Sequence, residues 1–246
     1  MKTHMMGVAT GAALVCGAPP VSAETFTYEA IIESLSPDGG PASSGLGGSA
    51  RADIVFDNQA QQLYVKIQGG GFAPDMLHVQ HIHGRFNEDG SPRDSVSPTL
   101  ADDADGDGVV ELLEGAPSYG GILLSLFDEE NTGNGFDGFP SAPNGIIDFE
   151  ATYDLTSTTP FSEGITAADL FPLDKREIVI HGAFLGDGIG GFGNETNPVA
   201  GYSNFVPVAA GEIFETTAPI PLPAGAWLLI AGMGSLVAVR RRGRVA

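Results

Sequence analysis

In the stretch "SARADIVFD", Ala50, Ala52, Ile54 and Phe56 alternate with Arg51, Asp53 and Asp57. A few residues on, "LYVKIQ" sets Leu63, Val65 and Ile67 against Tyr64, Lys66 and Gln68. Successive side chains of a strand point to opposite faces, so this two-residue period marks half-buried antiparallel strands. Comparable runs occur at "TFTYEAII", "GILLSLF", "GIIDFEATYDL", "REIVIHGAF" and "VAAGEIFE". The 35 glycines and 17 prolines concentrate between these runs, where turns and long loops are expected. Outside the two terminal segments no helix longer than a few turns is expected. The pattern predicts an all-β chain of seven or eight strands, a Greek-key sandwich or barrel, with no internal repeat. The region from Asn87 to Gly121 is too long for a simple connection and reads as a functional insertion.

The two ends are of a different kind. Lys2, an apolar run over Met5 to Cys16 and the small residues Val21-Ser22-Ala23 read as a secretory signal peptide over 1–23. A lipid anchor at Cys16 is disfavoured by the bulky Val15 before it. At the other end, no residue from Pro223 to Val239 is charged, and Arg240, Arg241, Arg242 and Arg244 follow. Such a span suits a transmembrane helix with its arginines in the cytoplasm. Both ends therefore place residues 24–218 outside the cytoplasm as one domain, with 219–246 as a terminal membrane segment. "PLPAG" before the apolar run and the arginines after it resemble the PEP-CTERM sorting signal in its VPLPA variant, although Ile220 stands where valine is commoner. The resemblance implies a Gram-negative bacterium, recognition by an exosortase, membrane contact through the helix before processing, and delivery to the cell envelope, outer surface or extracellular matrix.

All 31 acidic residues lie between Glu24 and Glu215, against six lysines and arginines there, a formal charge of −25. That field repels nucleic acid and anionic lipid and favours cations. No cysteine follows Cys16, so no disulfide braces the domain in an oxidising compartment. Its stability must come from the core and from any bound metal.

Three of the five histidines fall in "HVQHIHG". On a strand His81 and His83 share a face and His78 points the other way. An H-x-H pair on one strand is a two-imidazole clamp for copper or zinc. A third ligand is offered by "DKREIVIHGAF", where Glu177, Val179 and His181 share a face. Each histidine segment is expected to end in an "HG" turn, with the two ends brought together by the sandwich.

"GGSARADIVFD", "LYVKIQGG" and "LHVQHIHG" together resemble the CHRD (chordin-type) domain. "KREIVIHGAFLGD" and "PVAAGEI" resemble the closing half of Cu,Zn superoxide dismutases. The resemblance implies that His81, His83 and His181 are copper ligands, with His78 as a spare. The chain departs from that family in lacking a histidine between His83 and His181, which removes the bridging ligand and the histidine part of a zinc site. The arginine expected shortly before "PVAAGEI" to guide superoxide is also missing.

A second constellation lies inside the insertion. "DADGDGVVELLE" places Asp103, Asp105 and Asp107 at positions 1, 3 and 5 of a calcium loop, with Gly108 at 6. The Val109 carbonyl follows at 7, Glu111 at 9 and Glu114 at 12 as the bidentate carboxylate. Gly115 and Pro117 are expected to halt any exit helix, leaving a lone structural calcium loop rather than a paired hand. The acidic run "DEENTGNGFDG" has no ligand spacing, and the glycines of "LGDGIGGFGNE" read as a lid over the His181 strand. No nucleophile elbow, serine triad or phosphate loop is present. These features predict a calcium-braced, exported matrix or binding protein, open to extracellular polysaccharide as a partner. The alternative is a copper-dependent oxidoreductase of dismutase type.

Overall fold

The computed structural model describes residues 24–36, 46–129, 136–186 and 201–217. The signal peptide expected over 1–23, the sorting segment expected over 219–246 and most of the glycine-rich lid lie outside these residues. Among the described residues no helix is long and apolar enough to cross a membrane.

The regular structure of the described residues is mostly antiparallel β-sheet, with few helices. Its strands are β1 (Thr25–Ser34), β2 (Ser49–Asp57), β3 (Gln62–Gly70), β4 (Gln80–Phe86), β5 (Pro92–Arg93), β6 (Gly121–Ser125), β7 (Ile146–Asp154), β8 (Arg176–Phe184) and β9 (Tyr202–Thr217). They run in the order β5-β4-β8-β9-β1-β2-β3-β7, with β6 also pairing with β4. Among the described residues two short α-helices interrupt them, α1 (Leu112–Tyr119) and α2 (Ala167–Leu170).

The alternation read from the sequence becomes burial where one face is wet. Ala52, Ile54 and Phe56 of β2 and Leu63, Val65 and Ile67 of β3 are buried, whereas Arg51 and Gln68 are exposed. Across from them, Ile82 of β4, Leu124 of β6, Ile178 and Ile180 of β8 and Val206 and Val208 of β9 join the same apolar cluster. Each such side chain contributes roughly 1.5–3 kcal/mol when fully buried. A core fed by both halves of one long sheet is what a chain without a disulfide needs.

The β4–β8–β9 half has a second covered face. Strand β8 is buried over almost its whole length. Its Ile178 and Ile180 enter the main core, while Val179 packs in a smaller cluster with Leu35, Tyr119 and Ala210, against which Ala116 rests. Ala116 and Tyr119 belong to α1, so the long insertion folds back as a roof over the outer face of this half.

Two local expectations are corrected. Helix α1 runs through Gly115 and Pro117 instead of stopping there. Gly115 is required because a Cβ at that position would come within 2.5 Å of the Tyr119 ring, and the helix closes where Gly120 donates its N–H to the Ala116 carbonyl at 2.8 Å. An eight-residue helix carrying a proline has little stability of its own, so tertiary packing holds it. Nor does the chain turn after either His-Gly step. Strand β4 continues to Phe86 and β8 to Phe184. Gly182 (φ +124°) sits instead at a register shift, where a Cβ would collide with the Tyr202 hydroxyl and stand 2.8 Å from His78 Nδ1.

Candidate metal centres

Strands β4 and β8 are hydrogen-bonded neighbours, with His81 opposite Val179 and His83 opposite Glu177. The His181 N–H donates to the Val79 carbonyl at 2.8 Å, which sets His181 diagonally beside His81 on the roofed outer face. Ring centroids are 5.4 Å apart for His81 and His83, 5.5 Å for His81 and His181, and 6.0 Å for His83 and His181. One nitrogen from each ring lies within 4.8 Å of the others. The sequence reading of these three residues therefore describes one cluster, made by direct strand pairing.

The hydrogen bonds say which nitrogens are free. His83 Nδ1 donates to the Gly120 carbonyl at 3.0 Å and His181 Nδ1 to the Phe205 carbonyl at 2.6 Å, in the neutral tautomer that leaves Nε2 bare. Both Nε2 atoms, and Nδ1 of His81, are buried without a hydrogen-bond partner. Orienting the second ring N–H on a backbone carbonyl is the usual outer support of a metal-bound imidazole. Burial pulls the pKa of His83 down to about 3 and that of His181 to about 4. His81 is also held well below its ordinary value, by burial first and then by its two histidine neighbours. All three lone pairs are thus available at neutral pH. An ion roughly 2.0–2.1 Å from each nitrogen would need a small inward swing of the rings. Tyr119 meets His83 edge-on at 4.7 Å, and Phe139 meets His81 at 5.6 Å.

The cluster does not include His78. Its ring is fully buried, with Nδ1 2.9 Å from the His181 carbonyl and Nε2 3.1 Å from the Ala73 carbonyl. Both nitrogens face backbone carbonyls, to one of which the neutral ring donates, and the ring lies outside the cluster, so the spare-ligand role is not supported by its position.

The acidic loop forms the second centre, immediately before α1. Asp103, Asp105 and Glu114 bring carboxylate oxygens within 4.8 Å of one another, as do Asp105, Asp107 and Glu111. The loop is shaped by its own backbone: the N–H groups of Gly106 and Gly108 donate to the two oxygens of Asp103 at 2.7 and 2.9 Å. Val109 is buried in the main core, which ties the loop to the sheet. Glu114, at position 12 of the loop, has a second task. It accepts from the amides of Ala104 at 2.7 Å and Glu111 at 2.9 Å, capping α1 while facing the ligand set. Glu111 is the outlier, being 0 % exposed with neither carboxylate oxygen partnered. Burial, the Glu114 carboxylate, and the charges of Asp107 and Asp105 push its pKa up to about 9. A buried carboxyl group among acids, paired only with the Glu114 carboxylate, has the chemistry of a hard-cation ligand whose ion would replace its proton.

No protein-family model and no curated protein sequence matches the chain. Several residues around the centres were not singled out from sequence. Tyr119, Phe139 and the carbonyls of Gly120 and Phe205 come from distant segments and carry no local signal. Glu177 did carry one, since it shares a face with His181. It is fully buried, accepts from the Ser97 hydroxyl, and burial lifts its pKa to about 8.

Proposed function

We propose that the chain is an exported metal-binding module. Calcium occupies the cage of Asp103, Asp105, Asp107, Glu111, Glu114 and the Val109 carbonyl, and a transition ion, copper or zinc, occupies His81, His83 and His181. Its role is binding and structural rather than catalytic. One observation carries the reading: three buried histidines, each with a ring nitrogen that lacks a hydrogen-bond partner, bring one nitrogen apiece within 4.8 Å of the others. Unpartnered buried polar atoms are costly, and an ion satisfies all three at once. The strand order, with β7 beside β3 and β8 beside β4, suits a Greek-key sandwich of the CHRD and superoxide-dismutase type. The signal-peptide-like start and PEP-CTERM-like end support export to the envelope or matrix of a Gram-negative bacterium through an exosortase. There the acidic surface would meet extracellular polysaccharide and cations.

A copper oxidoreductase of dismutase type is the second reading. It is favoured by the three-histidine ligand set itself, in which His81, at 7 % exposed, lies nearest to solvent. The −25 charge and the absence of a guiding arginine count against an anionic substrate.

Elemental analysis after equilibration with copper, zinc and calcium tests the proposal. About one transition ion per chain is expected, lost in His81→Ala and in His181→Ala, with calcium retained in both variants. Calcium alone in the unaltered chain would remove the histidine centre and the oxidoreductase reading with it. A copper-loaded chain that consumes superoxide would promote the second reading over the first.

A further inference from the structure

The two centres are joined by a short rigid path. It begins at Glu111, whose backbone carbonyl accepts the Gly115 N–H at 2.9 Å and so starts α1. The Tyr119 hydroxyl, at the far end, donates back to the Leu112 carbonyl at 3.0 Å, spanning the helix. The Ser118 hydroxyl donates to Asp102 Oδ1 at 3.2 Å, a second tie to the residues that lead into the loop. The helix ends in the two groups that touch the histidine centre: the Tyr119 ring against His83, and the Gly120 carbonyl that holds His83 Nδ1. Eight residues thus connect a carboxylate cage to the outer support of a transition-metal ligand.

We propose that calcium in the cage presets the histidine centre, so that the two ions bind cooperatively through α1. The inference rests on the metal-binding reading above and adds the regulation of that site. Without a cation two overlapping triads of acids, Asp103-Asp105-Glu114 and Asp105-Asp107-Glu111, crowd one another beside the start of α1. Their repulsion acts on the loop and on the first turn of a helix too short to hold itself. A cation removes the repulsion, fixes the start of α1, and thereby fixes Tyr119 and Gly120 at its end. His83 then keeps one tautomer and one ring orientation, and the transition ion does not have to impose them. By linkage the effect is reciprocal: a transition ion on the histidines tightens calcium to the same degree.

The experiment is a copper(II) titration of the purified chain against a competing chelator, in calcium and in its absence, beside a calcium titration with and without copper. Calcium is expected to raise copper affinity by roughly 5- to 150-fold, the usual range of coupling between sites, with an equal factor in the reverse direction. In Glu111→Gln the calcium effect on copper should vanish while copper still binds as in the calcium-free chain. In Tyr119→Leu both ions should bind, with the coupling factor falling towards one. Copper and calcium that both bind, with affinities independent of each other, would overturn the inference and leave the metal-binding reading intact. Failure of either ion to bind would overturn that reading and the inference together. Nitrogen hyperfine structure in the copper spectrum, present with and without calcium, would tie the affinities to the imidazoles rather than to the carboxylates.

Discussion

Three imidazoles facing one another out of water can hold an ion, but they cannot each hold a proton. His83 and His181, pulled to about 3 and about 4, stay neutral in the folded chain across the range where an unfolded histidine, near 6.5, takes up a proton. The unfolded state therefore binds more protons between pH 6.5 and 4. Stability falls as the pH drops through that window, on the order of 1.4 kcal/mol per pH unit for each imidazole. Glu111 acts in the opposite sense. With its folded value raised to about 9, the ion-free chain loses stability as pH rises from the ordinary carboxyl range towards 9. In calcium excess and without transition ions, the denaturation midpoint should fall steeply on acidification below pH 6.5. His181→Gln should have a shallower acid limb; an unchanged slope would mean that the histidines are not the groups titrating. At this scale the sequence was most readable where a period of two does the placing. His81, His83 and His181 share a face as the alternation requires. Glu111 and Glu114 were assigned by loop spacing, and what spacing does not carry is that the start of α1 buries the one and makes the other a helix cap.

Helix α1 is the element where propensity and packing oppose each other. Alanine ordinarily favours a helix interior over glycine by about 1 kcal/mol. At Gly115 the added Cβ would meet the Tyr119 ring at 2.5 Å in a packed interior, so the sign reverses. Gly115→Ala should lower stability by roughly 1–3 kcal/mol, the usual cost of overpacking. Chemical denaturation measures this directly; a gain in stability would show that Tyr119 has room to move and weaken its role as the roof of His83. The same opposition explains what sequence reasoning missed here, since Gly115 and Pro117 are local stop signals overridden by contacts with β8 and β9. Strands β2 and β3 were legible almost to the residue, because one face of each is wet and the contrast survives in the sequence. Strand β9 was seen only in its second half. Its sixteen residues include Pro207, which lies at a register shift opposite His181 where a missing N–H is tolerated.

Over the whole molecule, composition and periodicity determined the class of fold and not the neighbours. That the chain is antiparallel β followed from alternation and glycine-rich breaks. That β4 lies against β8, while β3 lies against β7, depends on pairings between segments far apart in sequence, and no local pattern encodes them. The acidic surface has few internal partners: among the described residues, Arg51 with Glu29 and Asp53 supplies the ion pairs. The β4–β8 pairing carries one more consequence. His83 and His181 are joined across it but stand about a hundred residues apart along the chain. An ion held by both closes that loop in the folded state alone, as a covalent staple would, in a domain with no cysteine to make one. A staple over a loop of about a hundred residues is worth up to roughly 4.7 kcal/mol of chain entropy, and a metal bond shares in that only while the fold is intact. The copper-loaded chain should therefore unfold at a higher denaturant concentration than the calcium-only chain. His181→Ala should erase the difference, because that variant no longer holds the ion.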